Sequence, residues 1–152
     1  MRLKEFNKKV HFPNSMVCMC SECHDLYSVR HINFEPDGLW DVGKCPKYGC
    51  YGTLVEIDEM IAPMIRDLNK KNYETMFCCS GHPGSEMDFY SYISFKNAPN
   101  APAPSLWFWD KKNPDVLRSH KGNVYLRMYF LEKLVDELEK CEERRLKDGT
   151  TN

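Results

Sequence analysis

The cysteine spacing constrains this chain more than any other feature. Cys20 and Cys23 flank two residues, Cys45 and Cys50 flank four, and 21 residues separate the two pairs. A two-residue gap lets both thiolates of one tight turn reach a single ion, and the wider Cys45–Cys50 turn offers a second pair. Four thiolates from two turns make the closed tetrahedral set that zinc takes in structural positions. Cys18 is an alternative to Cys20, and His24 to Cys50, although His24 follows Cys23 directly and is awkward on geometric grounds. Between the pairs, Tyr27, Val29, Ile32, Phe34 and Trp40 are punctuated by Pro36-Asp37-Gly38, which predicts a short hairpin and hence a zinc ribbon. A span of about 35 residues holds too little core to fold alone. Structural zinc contributes about 10–16 kcal/mol of apparent binding energy in small finger peptides, so the ribbon is expected to unravel without its metal.

Eight cysteines would also suit a disulfide scaffold, but five fall between positions 18 and 50, and residues 1 to 14 carry no apolar leader. Reduced thiols on a metal fit that pattern better. The 21 basic and 22 acidic residues leave a net charge of −1, which excludes a general attraction to polyanions; nucleic-acid binding needs a local basic patch. No run approaches the length of an apolar membrane span, so a cytoplasmic protein with no membrane partner is expected. At 152 residues the chain suffices for one core plus an appendage. The expected division is a lead-in and ribbon over 1–52, an α/β core over 53–148 and a disordered tail over 149–152. The fold class is therefore α+β, a zinc ribbon followed by a small α/β sheet domain with a C-terminal helix.

Along the core, Leu54-Val55-Glu56-Ile57 leads out of the ribbon and Asp58 suits an N-cap. Ile61, Met64, Ile65 and Leu68 then fall at helical spacing, predicting about four turns, with Pro63 imposing a bend or a later start. Asn69 and Asn72 suit its C-terminal cap. Tyr73 to Cys79 reads as a strand stopped by Ser80-Gly81-His82-Pro83-Gly84. A second strand follows, with Phe89, Ser91, Ile93 and Phe95 on one face and Tyr90, Tyr92 and Ser94 on the other. Residues 97 to 105 form an extended connector. Leu106 to Trp109 is a short strand, 110 to 122 a basic loop, Val124 to Phe130 an alternating strand, and Leu131 to Cys141 a helix.

Candidate chemistry gathers at the 78–84 loop. Gly81 and Gly84 permit positive φ, so the loop can present N–H groups, the Ser80 hydroxyl, the Cys79 thiol and the His82 imidazole together. Cys79 and His82 are the candidate catalytic pair. Ser80, Gly81, Tyr90, Tyr92, Trp107, Trp109 and Arg127 are candidate ligand contacts, with the two indoles as an aromatic wall for a base. Three readings compete: a zinc-stabilised protein binding a nucleotide or nucleic-acid end, a Cys79/His82-dependent enzyme, and a module that binds or inhibits a host protein.

The order Asp58-Glu59, a helix ending Leu68-Asn69, Tyr73-Glu74-Thr75, Cys79-Ser80-Gly81-His82 and Tyr92-Ile93-Ser94-Phe95 resembles uncharacterised small zinc-ribbon proteins of bacteria and their phages. The resemblance covers roughly residues 18 to 135. It implies a cysteine-rich ribbon before the same core and, for a phage protein, sequestering a nucleotide signal or blocking a host enzyme. Cys79, Ser80 and Gly81 are also similar, more distantly, to the Cys-Ser-Gly-Arg loop of the wybutosine-synthesis methyltransferase family, with His82 standing in place of its arginine. That likeness implies a shared α/β core more than a shared reaction.

Overall fold

The computed structural model describes residues 16–28, 44–81, 90–147 and 149. The lead-in, most of the predicted hairpin, the segment from His82 to Phe89 and nearly all of the tail lie outside the described residues.

Strand β1 (Met16–Cys20) runs into the Cys20–Cys23 turn, and β2 (Leu26–Ser28) returns beside it. On its other side β1 pairs antiparallel with β3 (Leu54–Asp58), from Met16 opposite Asp58 to Cys20 opposite Leu54. The first sheet is thus β2-β1-β3. That ladder crosses the boundary expected at residue 52, so the cysteine segment and the start of the core share one sheet.

Helix α1 (Ala62–Lys70) starts later than Asp58, with Pro63 in its first turn, where a missing N–H costs nothing. It is nine residues long, shorter than the four turns expected. Asn72 adopts φ 66°, the Asn72 N–H donates to the Asn69 carbonyl, and the Tyr73 N–H donates to that of Leu68. This is a Schellman ending with asparagine in the left-handed position.

The second sheet is antiparallel, in the order β4 (Thr75–Cys79), β5 (Tyr92–Phe95), β7 (Val116–Ser119), β6 (Trp107–Trp109). Strand β7 lies within the stretch expected to be a basic loop. The alternation expected around β5 holds: Ser91, Ile93 and Phe95 are buried, while Tyr92 and Ser94 are half-buried on the opposite face.

Helix α2 (Val124–Lys147) corrects the strand expected over Val124 to Phe130. The Asn123 Oδ1 accepts the Tyr125 N–H at 2.8 Å, capping the helix, and the Arg127 N–H donates to the Asn123 carbonyl. Val124, Met128, Leu131, Val135 and Leu138 are buried at helical spacing, whereas Leu126, which strand alternation would group with Val124 and Met128, is half exposed. Burial follows the helical period and so overrides the apparent alternation. One cluster joins these residues to Ile61, Ile65 and Leu68 around α1, Ile93, Phe95, Trp107 and Leu117 of the second sheet, and Met19 and Ile57 of the first. The architecture is α+β, with both sheets antiparallel; β3 and β4, linked through α1, belong to different sheets.

Candidate metal centre and ligand face

The sulfurs of Cys20, Cys23, Cys45 and Cys50 all lie within 4.8 Å of one another. Cys20 and Cys50 are 3.5 Å apart and Cys23 and Cys45 3.8 Å. Thiolates at 2.3 Å from a tetrahedral zinc stand about 3.8 Å apart, so the donor set fits one ion of that size. Cys18, buried on β1, and His24 do not belong to the group.

Local backbone geometry builds this cluster. His24 turns back at φ 60° and its N–H donates to the Cys20 carbonyl, closing the first turn. The Cys50 N–H donates to the Lys47 carbonyl across a turn holding Gly49 at φ 79°. The Cys45 N–H to the Gly52 carbonyl brings the second turn beside the first. Gly52 is buried there: a Cβ on it would stand 2.3 Å from the Cys20 sulfur and 3.0 Å from the Glu22 nitrogen. The Glu22 N–H points at the Cys20 sulfur at 3.4 Å and the Tyr27 hydroxyl lies 3.5 Å from that of Cys45. Such outer contacts orient metal ligands and tune them.

The thiols share charge unequally. Burial pushes the Cys23 thiol up to about 12. At Cys45 burial works the same way, but hydrogen bonds from the Tyr27 hydroxyl, the Lys47 backbone and the Cys20 and Cys50 thiols outweigh it and hold that group at about 7. A hydrogen bond from the Gly52 backbone favours the Cys50 thiolate, yet burial and the bonds with Cys20 and Cys45 leave its thiol raised. Cys45 is thus the group most ready to meet an ion as a thiolate.

Cys79, Ser80 and Gly81 stand at the end of β4. The Ser80 N–H and hydroxyl both donate to Asp58 Oδ2, at 2.8 and 3.1 Å, so Asp58 ties β3 to β4 instead of capping α1. The Ser91 hydroxyl donates to the Ser80 carbonyl at 2.5 Å, and the Ser91 N–H to the Ser119 hydroxyl at 2.9 Å. Ser80 is fully buried in these bonds. Gly81 sits at φ 94°, in the region that favours glycine, and its N–H points at the Cys79 sulfur. Burial raises the Cys79 thiol, and drives that of Cys78 up to about 12. His82 lies outside the described residues, so its distance from Cys79 does not enter.

The two indoles turn inward. Trp107 is 4% exposed, with its Nε1–H donating to the Arg127 carbonyl at 3.0 Å. Trp109 packs against Phe95 and its Nε1–H donates to the Ala101 carbonyl at 2.8 Å. Arg127, expected between two tyrosines of a strand face, is on α2 and 1% exposed, while Tyr125 and Tyr129 face outward one turn apart. Trp107, Trp109 and Arg127 therefore line the core side of the sheet.

The opposite face carries a different set. Cys79, Tyr92, Arg118 and Phe108 lie opposite one another in register across β4, β5, β7 and β6. Phe108 is 37% exposed, its ring 4.8 Å from that of His120. Arg118 Nε donates to Asp110 Oδ2 at 2.7 Å, which keeps the Asp110 carboxyl below its ordinary range. Lys121 reaches over the exposed Tyr90 ring. From the sequence, Arg118 is expected only as one of the basic residues of the 110–122 loop, the stretch best suited to meet phosphate, and Phe108 carries no role, because β7 is hidden in that stretch. Among the described residues no helix is long and apolar enough to cross a membrane. The chain matches no protein-family model, no curated protein and no solved structure.

Proposed function

We propose that this chain is a zinc-stabilised binding protein that holds a nucleotide or nucleic-acid end on the open face of its second sheet. The observation that carries the reading is the row Tyr92, Arg118 and Phe108, with aromatic residues on the strands either side of an arginine, on the face turned away from α2. Bases stack on such rings whatever their identity, at about 1–3 kcal/mol per base, and a guanidinium serves both stacking and phosphate. Lys111 and Lys112 are exposed at one end of the β6–β7 pair and His120 and Lys121 at the other, placing basic groups to either side of Arg118. Zinc, on this reading, is structural: four thiolates close its coordination and leave no position for a substrate. The raised thiols of Cys78 and Cys79 favour binding over nucleophilic chemistry, since the thiolate is the reactive form.

The test is titration calorimetry against nucleoside mono- and triphosphates and a short single-stranded oligonucleotide, at two salt concentrations. Binding that weakens with salt, and falls by about 10-fold in Phe108→Ala and in Arg118→Ala, is expected. Absence of heat with every ligand, or equal binding by both variants, contradicts the reading.

A further inference from the structure

Strands β3 and β4 are each the outer strand of a sheet, and they face the same cleft. It has a volume of about 670 Å³, within the range of ligand pockets, and is lined by Val55 to Ile57 of β3, Thr75 to Cys78 of β4 and, from α1, Ile65 and Asn69. The Asp58–Ser80 bond joins the carboxyl ends of the two strands, so they leave a common point in the same sense. Side chains satisfy the amides at both ends of the β4 side: Asn69 Oδ1 accepts the Thr75 N–H at 3.1 Å, and Asp58 Oδ2 the Ser80 N–H. Between them, among the described residues, the backbone of Met76 to Cys78 bonds only toward β5, and that of Val55 to Ile57 only toward β1. Both free edges are therefore templates for another strand.

We infer that this cleft accepts an extended peptide from a partner protein, which adds as a strand between β3 and β4. Because both walls run the same way, one antiparallel strand satisfies both at once, giving a continuous sheet β2-β1-β3-peptide-β4-β5-β7-β6. Main-chain bonds give affinity in strand addition and alternate side chains give selectivity. Val55, Met76 and Phe77 are at least half exposed on the walls, the last two adjacent because the β4 register shifts between Thr75 and Phe77. They call for apolar side chains. The acidic side chains of the lining are Glu56 and Glu74, and apart from His24 no basic side chain lines it among the described residues, although the exposed Lys96 pairs with Glu74 at the rim. The peptide is therefore apolar on alternate positions and basic between them. Ser21 and His24, beside the cysteine cluster, complete one wall, so the metal that orders that turn also shapes the cleft.

The inference does not rest on nucleotide binding: the two share Tyr92, which also lines the cleft, but the peptide is held by the backbones of β3 and β4 and not by Arg118 or Phe108. Its test is hydrogen exchange by NMR on the full, metal-loaded chain with a capped short peptide alternating lysine and valine. Those amides of Val55 to Ile57 and Met76 to Cys78 that point away from β1 and β5 are expected to gain about tenfold protection, and N-methylation of the valines to weaken binding by about tenfold by deleting main-chain donors. Replacing the peptide lysines with glutamates weakens binding, and a Glu56→Lys, Glu74→Lys double variant, changed only at exposed positions, reverses that preference. Equal binding of the N-methylated peptide, protection elsewhere, or no binding at millimolar peptide overturns the inference. So do cleft-facing amides, those not bonded to β1 or β5, that are already protected in the free chain, which would mean that its own residues or a second copy fill the cleft.

Discussion

Gly52 is the residue on which the cysteine cluster closes most tightly. A methyl group there would stand 2.3 Å from the Cys20 sulfur, and a sulfur held by a metal on one side has no room to retreat. Gly52→Ala is expected to lower metal affinity by about 10–100-fold, the scale of losses when outer contacts of a metal site are disturbed, measured by competition with a chromogenic chelator. Unchanged affinity would show that the two turns are not held together as described. Protons compete with the metal at the same sulfurs. The Cys23 thiol at about 12 and the raised Cys50 thiol are protonated at neutral pH and must release their protons to ligate, whereas Cys45 near 7 is partly ionised already. Metal binding therefore releases protons, and affinity rises with pH. Calorimetry in buffers of different ionisation enthalpy should register more than one proton released per ion; no dependence on buffer would count against a thiolate site.

At the scale of elements, helix α2 begins at Asn123 because that side chain accepts the Tyr125 N–H. Asn123→Ala is expected to cost about 1 kcal/mol, read from the urea midpoint, as for other N-caps. A loss within error would mean that core packing alone sets the helix start. This element also marks what the sequence concealed. Val124, Leu126, Met128 and Phe130 alternate as a strand would, but Val124, Met128 and Leu131 also fit the helical period, and only the cap ahead of them distinguishes the two. Strand β7 was obscured differently: Val116 to Ser119 is short and contains Arg118, yet Asn113-Pro114-Asp115 before it and Lys121-Gly122 after it are turn residues that bound a strand. Missing β7 hid the register that sets Arg118 beside Tyr92 and Phe108. By contrast α1 and β5 are legible because their apolar periods agree with their flanking turn residues, and β4 because its aromatic and β-branched run stops at Ser80-Gly81. The cysteine spacing was legible for a simpler reason: four thiols in two turns have few other geometries available.

For the whole molecule, the first sheet ties the metal site to the rest of the core. Strand β1 carries Cys20 at its end and Met19 in the shared core, and it pairs along its length with β3, which reaches Asp58 and through it Ser80. Loss of the ion should therefore loosen β2-β1-β3 first and reach the β3–β4 cleft, while the α2-backed second sheet, with Ile93, Leu117 and Leu131 fully buried, persists. Hydrogen exchange after chelation would show early deprotection confined to the first sheet; uniform deprotection would indicate a single cooperative unit. The most direct measurement is the metal content of protein purified without added metal or chelator, taken with the rate at which each of its eight cysteines is alkylated. The account predicts one ion per chain, zinc by elemental analysis, with Cys20, Cys23, Cys45 and Cys50 protected until chelator is added and the exposed Cys141 reacting at once. Protein without metal whose four clustered cysteines react as fast as Cys141 would contradict it.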